Sequence, residues 1–533
     1  MFRPRNGCVA AGALAVLILS ACRKDRPDPV WDLDMTVPLA KTSLTLGDLL
    51  PDSILQSDTA GGVSILYTAN LFKLSLDTVL TAPDTTFRYA YAIPFPGPIQ
   101  FAPGSAFESS DDVTHFDLED LELTKLIIRT GQLDFSVTNM MNGNIVGDFA
   151  IPGASLDGQS FSMELILPPG TPAAPSSLSA SRALDGYEFD LRGPDQNSVN
   201  ALATQLTYMN APWGAPVNIT DQDSLLAYVA YHDIVPEYAK GSFGTRVFTV
   251  DPDTTGIDLF ANITGTIDLA QAEARLKVRN GLGVDAQAHL HFIHSINTRN
   301  GNTVDLTGPL TTGPVNITRA TDLGNGFQPT QTTSELNQGN SNIEQFLENL
   351  PNRIGYALDF TINPMGDISN GHDFLYHDSE INADLEVEIP LRLIATDLVL
   401  QKAMELDLPG TSTSHAWRSG TLHLFAENGF PFSAQVELAV VDASGQVLAS
   451  LGPGGTIGAG SLGTNLFVTS PSSARIDFPI GTEQMDLIHQ TGLVRVRATF
   501  NTAEQSQHIQ LLAHYRMDLQ LTVDANYAVN GDE

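Results

Sequence analysis

A short alternating segment that ends in asparagine occurs three times in this chain, and it constrains the fold more than any other feature. The copies are residues 133–139, 274–280 and 422–428. The second and third copies continue in step to Leu290 and Leu438, again with apolar residues at every second position. Alternation on both sides of an Asn-Gly pair is typical of a half-buried antiparallel hairpin. We therefore expect three related β units, each with one buried face.

A second pattern, a short helix followed by a strand that ends in asparagine, accompanies each copy. In the second copy, Ser341 and Glu344 are spaced as a capping box, and the strand that follows ends at Asn363. The third copy has a helical pattern over residues 482–489, with Met485 and Ile488 facing inward. The first copy is looser and places Val199, Leu202 and Leu206 before Asn210. The predicted fold class is mainly β with a few short helices, in tandem antiparallel β-sandwich-like units.

The domain limits follow from the spacing of these copies. We predict a β-rich N-terminal region over residues 31–115 and repeat units over 116–255, 256–405 and 406–533. Three similar segments, at 32–39, 384–391 and 518–523, are predicted to be edge strands, because proline tolerates positions that need no ladder donor. The first of them is expected to pair into the body of the protein.

The N-terminus has the pattern of a secretory signal. Arg3 and Arg5 precede an apolar run of about 11 residues, well short of the roughly 20 that a membrane span needs. This run ends in Leu-Ser-Ala before Cys22, which resembles the lipobox of bacterial lipoprotein precursors. The resemblance implies a signal peptide over residues 1–21, lipidation of Cys22, a tether over residues 22–30, and a membrane as partner through that lipid.

Charge and cysteine content exclude other classes of protein. Removal of residues 1–21 changes the formal net charge from −34 to −36, because that segment carries two arginines and no acid. Nucleic-acid binding relies on clustered basic residues, so we expect no nucleic-acid partner. Cys8 would leave with the signal and Cys22 would carry the lipid, so no disulfide is expected.

Two family resemblances rest on these patterns. The alternating strand that runs into an asparagine and a second alternating strand resembles the sandwich modules of LEA-2/WHy-type proteins, in which the asparagine sits at the bend between two strands. The lipobox, together with acidic β-domains rich in Thr and Asn, resembles the outer-membrane lipoproteins of Bacteroidota. The charged residues 23–25 also resemble the export signal of these lipoproteins. This resemblance implies an outer-membrane location, with the cell surface preferred over the periplasmic face.

One candidate cation site is a loop-like acidic segment. Asp251, Asp253, Thr255 and Asp258 supply oxygens around a glycine at position six, as calcium loops do. Position twelve of such a calcium loop is normally a bidentate glutamate, and here it is Asn262. Calcium is therefore a possible cofactor, with a linker turn as the alternative interpretation, and no other cofactor is predicted.

The second candidate is the densest histidine cluster. His289 and His291 share one face of a strand, which is the geometry of a two-histidine metal site, whereas His294 should leave that face. The alternative is that Leu290 and Phe292 mark the core side and that both histidines simply face solvent.

No common catalytic signature is present in the sequence. The chain lacks a nucleophile elbow, a His-Glu-x-x-His motif, a phosphate loop and a dinucleotide fingerprint. We expect a non-enzymatic, lipid-anchored envelope protein that offers a binding or scaffold surface to a protein or a surface polymer. One alternative is a carrier of a lipid or other apolar ligand in a β-wrapped cavity. Another is a glycan-binding or glycan-processing lipoprotein, for which only the widely scattered Trp31, Trp213 and Trp417 are available as large stacking platforms.

Overall fold

The computed structural model describes residues 30–75, 80, 82–92, 97–261, 263–407 and 415–530. The predicted signal peptide, Cys22, the tether up to residue 29 and Asn262 lie outside these residues. The described chain is mainly β, with antiparallel sheets, so the predicted fold class is confirmed.

The strands are given in chain order. The first half of the chain forms β1 (Val30–Thr45), β2 (Leu55–Ser57), β3 (Val63–Ser75), β4 (Thr85–Ala92), β5 (Ile99–Phe101), β6 (Ala106–His115), β7 (Glu122–Asn139), β8 (Ile145–Leu156), β9 (Gln159–Leu167), β10 (Ser176–Ala183), β11 (Glu188–Asp190), β12 (Ala201–Asn210), β13 (Val217–Ile219), β14 (Ser224–Ser242), β15 (Arg246–Gly256), β16 (Thr266–Leu269) and β17 (Glu273–Asn280). The second half forms β18 (Ala286–Asn297), β19 (Asn302–Asp305), β20 (Val315–Ile317), β21 (Thr321–Asp322), β22 (Phe327–Gln328), β23 (Thr330–Leu336), β24 (Arg353–Ile362), β25 (Asp373–Tyr376), β26 (Glu380–Pro390), β27 (Arg392–Thr396), β28 (Leu398–Glu405), β29 (His415–Asn428), β30 (Phe432–Val441), β31 (Val447–Ser450), β32 (Gly455–Ile457), β33 (Ser461–Leu462), β34 (Val468–Ser470), β35 (Ser472–Ile480), β36 (Leu493–Thr502), β37 (Ile509–Gln510) and β38 (Arg516–Asn530).

Three short α-helices occur in the described part of the chain. They are α1 (Pro309–Thr312), α2 (Ile343–Glu348) and α3 (Thr482–Thr491), and two single 3-10 turns lie at Leu46–Asp48 and Asp52–Ile54. Helix α3 buries Met485 and Ile488, as the sequence predicted. The N-cap of α2 is Asn342, one residue after the predicted Ser341. In the first copy the helix prediction is wrong, because Leu202 and Leu206 lie on strand β12, where a spacing of four also keeps both side chains on one face.

Three two-sheet sandwiches share one strand order. In the first sandwich the sheets run β4-β14-β7-β10 and β6-β12-β8-β9. The second runs β3-β26-β17-β23 and β15-β24-β18-β19, and the third runs β1-β38-β29-β35 and β28-β36-β30-β31. The alternating segments found in the sequence are the inner strands β7, β17 and β29, which bury their apolar residues between the sheets.

Each sandwich takes its first strand from the N-terminal region, in reverse order along the chain. Strand β4 pairs with β14 in the first sandwich, β3 neighbours β26 in the second, and β1 pairs with β38 in the third. The three sandwiches are therefore nested in the sequence, although their remaining strands follow one another. The predicted limits of the units remain a prediction. The pairing adds that β6 belongs to the first sandwich, β15 to the second and β28 to the third.

A buried asparagine turns the chain from one sheet to the other in every sandwich. Asn428 donates from Nδ2 to the carbonyls of Phe432 and Gly458, at 2.8 Å each, and its Oδ1 accepts the backbone N–H of Phe430 at 3.0 Å. Asn139 and Asn280 make the same three bonds with the corresponding backbone groups.

The hairpin prediction for these segments is wrong, because the two strands beside each asparagine do not pair with each other in the described structure. Strand β17 pairs with β23 and β26, whereas β18 pairs with β19, β20 and β24. Alternating patterns on both sides of a turn fit two strands in facing sheets as well as they fit a hairpin, because each strand still buries one face. The asparagine is thus a corner residue between two sheets.

Only one of the three predicted edge strands lies at an edge. Residues 32–39 fall in β1, which is the outer strand of its sheet and pairs with β38 from Val30 opposite Asn530 to Thr45 opposite Arg516. Residues 384–391 and 518–523 fall mainly in β26 and β38, which have neighbours on both sides. Pro390 is tolerated there because it is the last residue of its strand.

The chain divides into two compact units. One comprises Ile65–Ala261 and Gln271–Ile389 and holds the first and second sandwiches. The other comprises residues up to Ser64, Asn262–Ala270 and Pro390–Glu533, and holds the third sandwich together with the small sheet β16-β27-β37. No helix in the described ranges is long and apolar enough to cross a membrane.

Candidate functional sites

The acidic segment that suggested calcium does not form the expected loop. Asp251, Asp253 and Thr255 lie in the extended strand β15, and Asp258 follows that strand. Extended residues rise about 3.3 Å each, which places Asp251 and Thr255 about 13 Å apart along the strand. These oxygens therefore do not surround one point, and the loop expectation is corrected.

The histidines of β18 all point away from the core, which differs in part from the prediction. The pairing of β18 with β24 shifts between Leu290 and Phe292, so that His291 is the extra residue of a β-bulge. The bulge reverses the alternation of faces. Phe292, which we expected in the core, therefore lies half-buried on the outer face and stacks on His294 at 4.2 Å between ring centroids. His294 accordingly stays on the outer face.

His289, His291 and Asp359 form a compact cluster on this outer face. One ligand atom of each side chain lies within 4.8 Å of the others. His291 Nε2 is 2.9 Å from Asp359 Oδ2, and the two imidazole rings are 4.9 Å apart between centroids. Both histidines are exposed and the aspartate is half-buried, so the cluster opens to solvent.

Asp359 is held in place from its other side. Thr249 Oγ1 on β15 donates a 2.8 Å hydrogen bond to Asp359 Oδ1. This bond, and after it the hydrogen bond with His291, lowers the pKa of the Asp359 carboxyl, which is therefore ionised at neutral pH. Sequence reasoning missed both residues because they lie on neighbouring strands. The sequence indicates only that a strand precedes Asn363. The register that places His289 opposite Asp359 is visible only in the fold.

The second candidate site is an apolar pocket in the first sandwich. The space inside it that water-sized molecules can occupy is about 60 Å³. Strands β7, β11 and β14 contribute to its wall together with the segments that lead into β4 and β7. The lining residues are Leu80, Ala82, Pro83, Phe116, Leu118, Leu123, Leu126, Ile128, Phe189, Leu191, Tyr231, Ile234 and Pro236. The wall is almost wholly apolar, but this space is well below the roughly 300 Å³ at which ligand pockets begin, so an apolar ligand enters only if the wall opens.

Tyr231 is the polar exception in that wall. Its side chain is buried, and its Oη has no hydrogen-bond partner among the described residues. Burial, and to a smaller extent the neighbouring Tyr89, raises the pKa of Tyr231 strongly, so the phenol stays protonated. A buried hydroxyl without a partner is unfavourable.

The pocket lies in the first sandwich, in which no α-helix occurs among the described residues. In the second and third sandwiches, α2 and α3 follow β23 and β35 and pack against strands of both sheets. In the first sandwich the short strand β11 follows β10, and it pairs with β7 on one side and with β8 on the other. Phe189 of β11 is buried, and it also lines the pocket.

The three tryptophans do not form a described sugar-binding surface. Trp213 lies on a loop after β12 with 62% of its surface exposed. Trp31 and Trp417 fall in β1 and β29, but their side chains lie outside what the structure describes. The glycan alternative therefore stays a prediction.

The comparisons with known proteins give distant likenesses only. No protein-family model matches the chain, and no curated protein matches it. A crystal structure from Parabacteroides distasonis, described as a "putative secreted protein", aligns over 93% of this chain and 99% of its own, with 10% identity and a TM-score of 0.26. The VP1 pentamer of human polyomavirus 6 aligns over 38% of this chain and 94% of its own, with 10% identity and a TM-score of 0.05. With TM-scores this low, neither likeness assigns a shared fold or function.

Proposed function

We propose that the protein is a non-enzymatic, lipid-anchored protein of the cell envelope that holds binding surfaces close to a membrane. The observation that carries this proposal is the position of β1. Val30 begins β1 only eight residues after Cys22, a distance of at most about 28 Å in extended chain. Because β1 pairs with β38 along its length, a lipid on Cys22 anchors the third sandwich itself.

The repeated residues support a scaffold role. The buried asparagines use all three of their hydrogen bonds on backbone groups of their own sandwich, so the feature that the copies share is structural. The histidine cluster and the apolar pocket belong to one sandwich each. The surfaces that could recognise a protein or a polymer therefore differ between copies, as in a protein that presents several contacts from one anchor.

The anchor is tested by Cys22→Ala in the full-length chain. We expect the wild type in the membrane fraction and the variant in the soluble fraction, with Ser20→Ala as a control that leaves the cysteine in place. Equal membrane association of wild type and Cys22→Ala would refute the anchor.

The scaffold role is tested by a pull-down of the tagged, lipidated protein from native membranes in mild detergent, with mass spectrometry of proteins and lipids. A stoichiometric protein or surface polymer supports the proposal. The proposal would be refuted if no protein or polymer co-purified and the protein turned over a supplied glycan.

A second candidate function is the carriage of an apolar ligand, and the pocket of the first sandwich favours it. The apolar wall suits an apolar ligand, and the pocket must widen to admit one. The substitution Ile234→Trp adds a large side chain at a half-buried position of the wall. We expect it to abolish binding of a neutral apolar dye such as Nile red. The matched control is Ile293→Trp, a half-buried position on the second sandwich, and equal dye binding by both variants would argue against this function.

A further inference from the structure

We propose that His289, His291 and Asp359 form a binding site for a divalent transition-metal ion of the zinc class on the outer face of the second sandwich. This inference goes beyond the scaffold function and does not depend on the lipid anchor.

The donor set selects the class of metal. Two imidazole nitrogens and one carboxylate oxygen suit Zn²⁺, Cu²⁺ or Ni²⁺, whereas Ca²⁺ and Mg²⁺ prefer oxygen ligands alone. The three side chains present one ligand atom each within 4.8 Å of one another, which is a spacing that one ion can bridge with small side-chain rotations. A zinc-class ion is therefore the occupant that this chemistry fits.

The strand geometry brings the two histidines together. His289 lies opposite Asp359 on β24, and the β-bulge then turns His291 outward over the same carboxylate. Asp359 is fixed by the ladder on both sides, with β15 and β18 as its neighbours, and His289 is fixed by its pairing with β24. The ligands are thus partly preorganised before any ion binds.

The second coordination sphere is also present. Thr249 occupies Asp359 Oδ1, which leaves Oδ2 as the oxygen that faces the histidines. Residues that orient a metal ligand in this way raise the affinity of the site. We therefore assign Thr249 as a positioning residue and Asp359 as a ligand that binds through one oxygen.

Three protein ligands leave a coordination position open. Four-coordinate zinc sites with three protein ligands hold water or an exchangeable ligand in the fourth position. Because both histidines are exposed, this position faces solvent. The bound ion can accept a donor group from a molecule that approaches the outer face of the second sandwich.

Other histidines of the chain provide internal controls. His294 pairs with Asp305 at 2.6 Å and His508 pairs with Asp268 at 2.8 Å. Within the described ranges, neither pair has the second histidine that completes the cluster at Asp359. These pairs have the same two side-chain types but lack the third ligand, so they separate metal binding from simple His-Asp attraction.

The test uses the purified full-length protein in detergent, treated with a chelator and then titrated with zinc sulfate at pH 7.5 by calorimetry. We expect one tight Zn²⁺ per chain. His289→Ala, His291→Ala and Asp359→Asn should each weaken that event at least tenfold, and Thr249→Val should weaken it by a smaller factor. His294→Ala and His508→Ala should leave it unchanged.

Two further measurements complete the test. Circular dichroism of every variant confirms that the surface substitutions leave the fold intact. Co²⁺ in place of Zn²⁺ should give the visible absorption of a four-coordinate site in the wild type and in His294→Ala, but not in His289→Ala. Absence of zinc binding in the wild type, or equal binding by the cluster variants and the controls, would overturn the proposal.

Discussion

The first and third sandwiches have the same strand order and the same asparagine corner, yet they differ at one end. Helix α3 packs across both sheets of the third sandwich and buries Met485 and Ile488. The first sandwich has strand β11 in this part of its sequence, and an apolar pocket lies beside it. The asparagine corner and the inner strands are thus the constant part of the repeat. The segment between the two sheets at one end of the sandwich varies, and in the first sandwich it borders a pocket.

The largest expected effect concerns the feature that both sandwiches share. Replacing Asn428 by Ala leaves two buried carbonyls and one buried N–H without their partner, which should destabilise the third sandwich by about 3 kcal/mol or more. Asn139→Ala should cost the first sandwich a similar amount. Hydrogen exchange read by mass spectrometry measures the loss in each sandwich separately, and Asn465→Ala on an exposed turn is the control. A large loss of stability in only one of the two sandwiches would show that the two asparagine corners are not equivalent.

The next effect concerns the closing helix. Met485 is 2% exposed, and Met485→Ala should destabilise the third sandwich by about 2 to 4 kcal/mol, since it leaves a cavity under α3. Hydrogen exchange of α3 and β30 should rise, while that of β7 and β8 stays unchanged. Met365 is 79% exposed, so Met365→Ala is the matched control without effect. Unchanged exchange in α3 would show that the helix does not close the sandwich.

A smaller effect with the opposite sign is expected in the pocket. Tyr231→Phe removes a buried hydroxyl that has no described partner, so the first sandwich should be unchanged or more stable, by up to about 1 kcal/mol. Thermal unfolding measures this effect. A clear loss of stability would mean that the hydroxyl makes a hydrogen bond in the folded protein.

The smallest effect is a pH dependence of α3. Burial lowers the pKa of His489 below its ordinary value of 6.5, although Asp486 acts in the opposite direction. The unfolded chain therefore binds a proton more readily than the folded helix, and the stability of α3 should fall as the pH decreases through 6.5. The difference in hydrogen exchange between wild type and His489→Gln at pH 7.5 and 5.5 isolates this contribution. A difference that does not change with pH would contradict it.

The parts of the fold that depend on local pattern could be predicted from the sequence. Alternation identified the inner strands that end at Asn139, Asn280 and Asn428, and the apolar periodicity of α3 identified its buried face. The identity of each strand's neighbours could not be predicted, because alternation shows which face is buried and not which strand lies alongside. The hairpin error and the two misplaced edge strands both have this cause.

The candidate sites show the same limit. His289 and His291 were identified because they are close in sequence. Asp359 and Thr249 were not, since only the pairing of β15, β24 and β18 brings them to the cluster. The bulge at His291 also reversed the expected facing of Phe292 and His294, and a one-residue insertion of this kind leaves no regular signal in the sequence.

The nesting of β1, β3 and β4 sets the order in which the sheets can be completed as the chain emerges. The first sandwich has all its main strands once residue 242 is available, the second once residue 390 is, and the third only at residue 530. Strand β1 is made first and obtains its partner last, so it stays unpaired while almost the whole chain is synthesised. A chain that stops before β38 would leave β1 without its partner next to the proposed lipid, with an unpaired strand free to associate with other chains. Completion of β38 is thus the step that pairs β1, and with it the proposed anchor, to the rest of the protein.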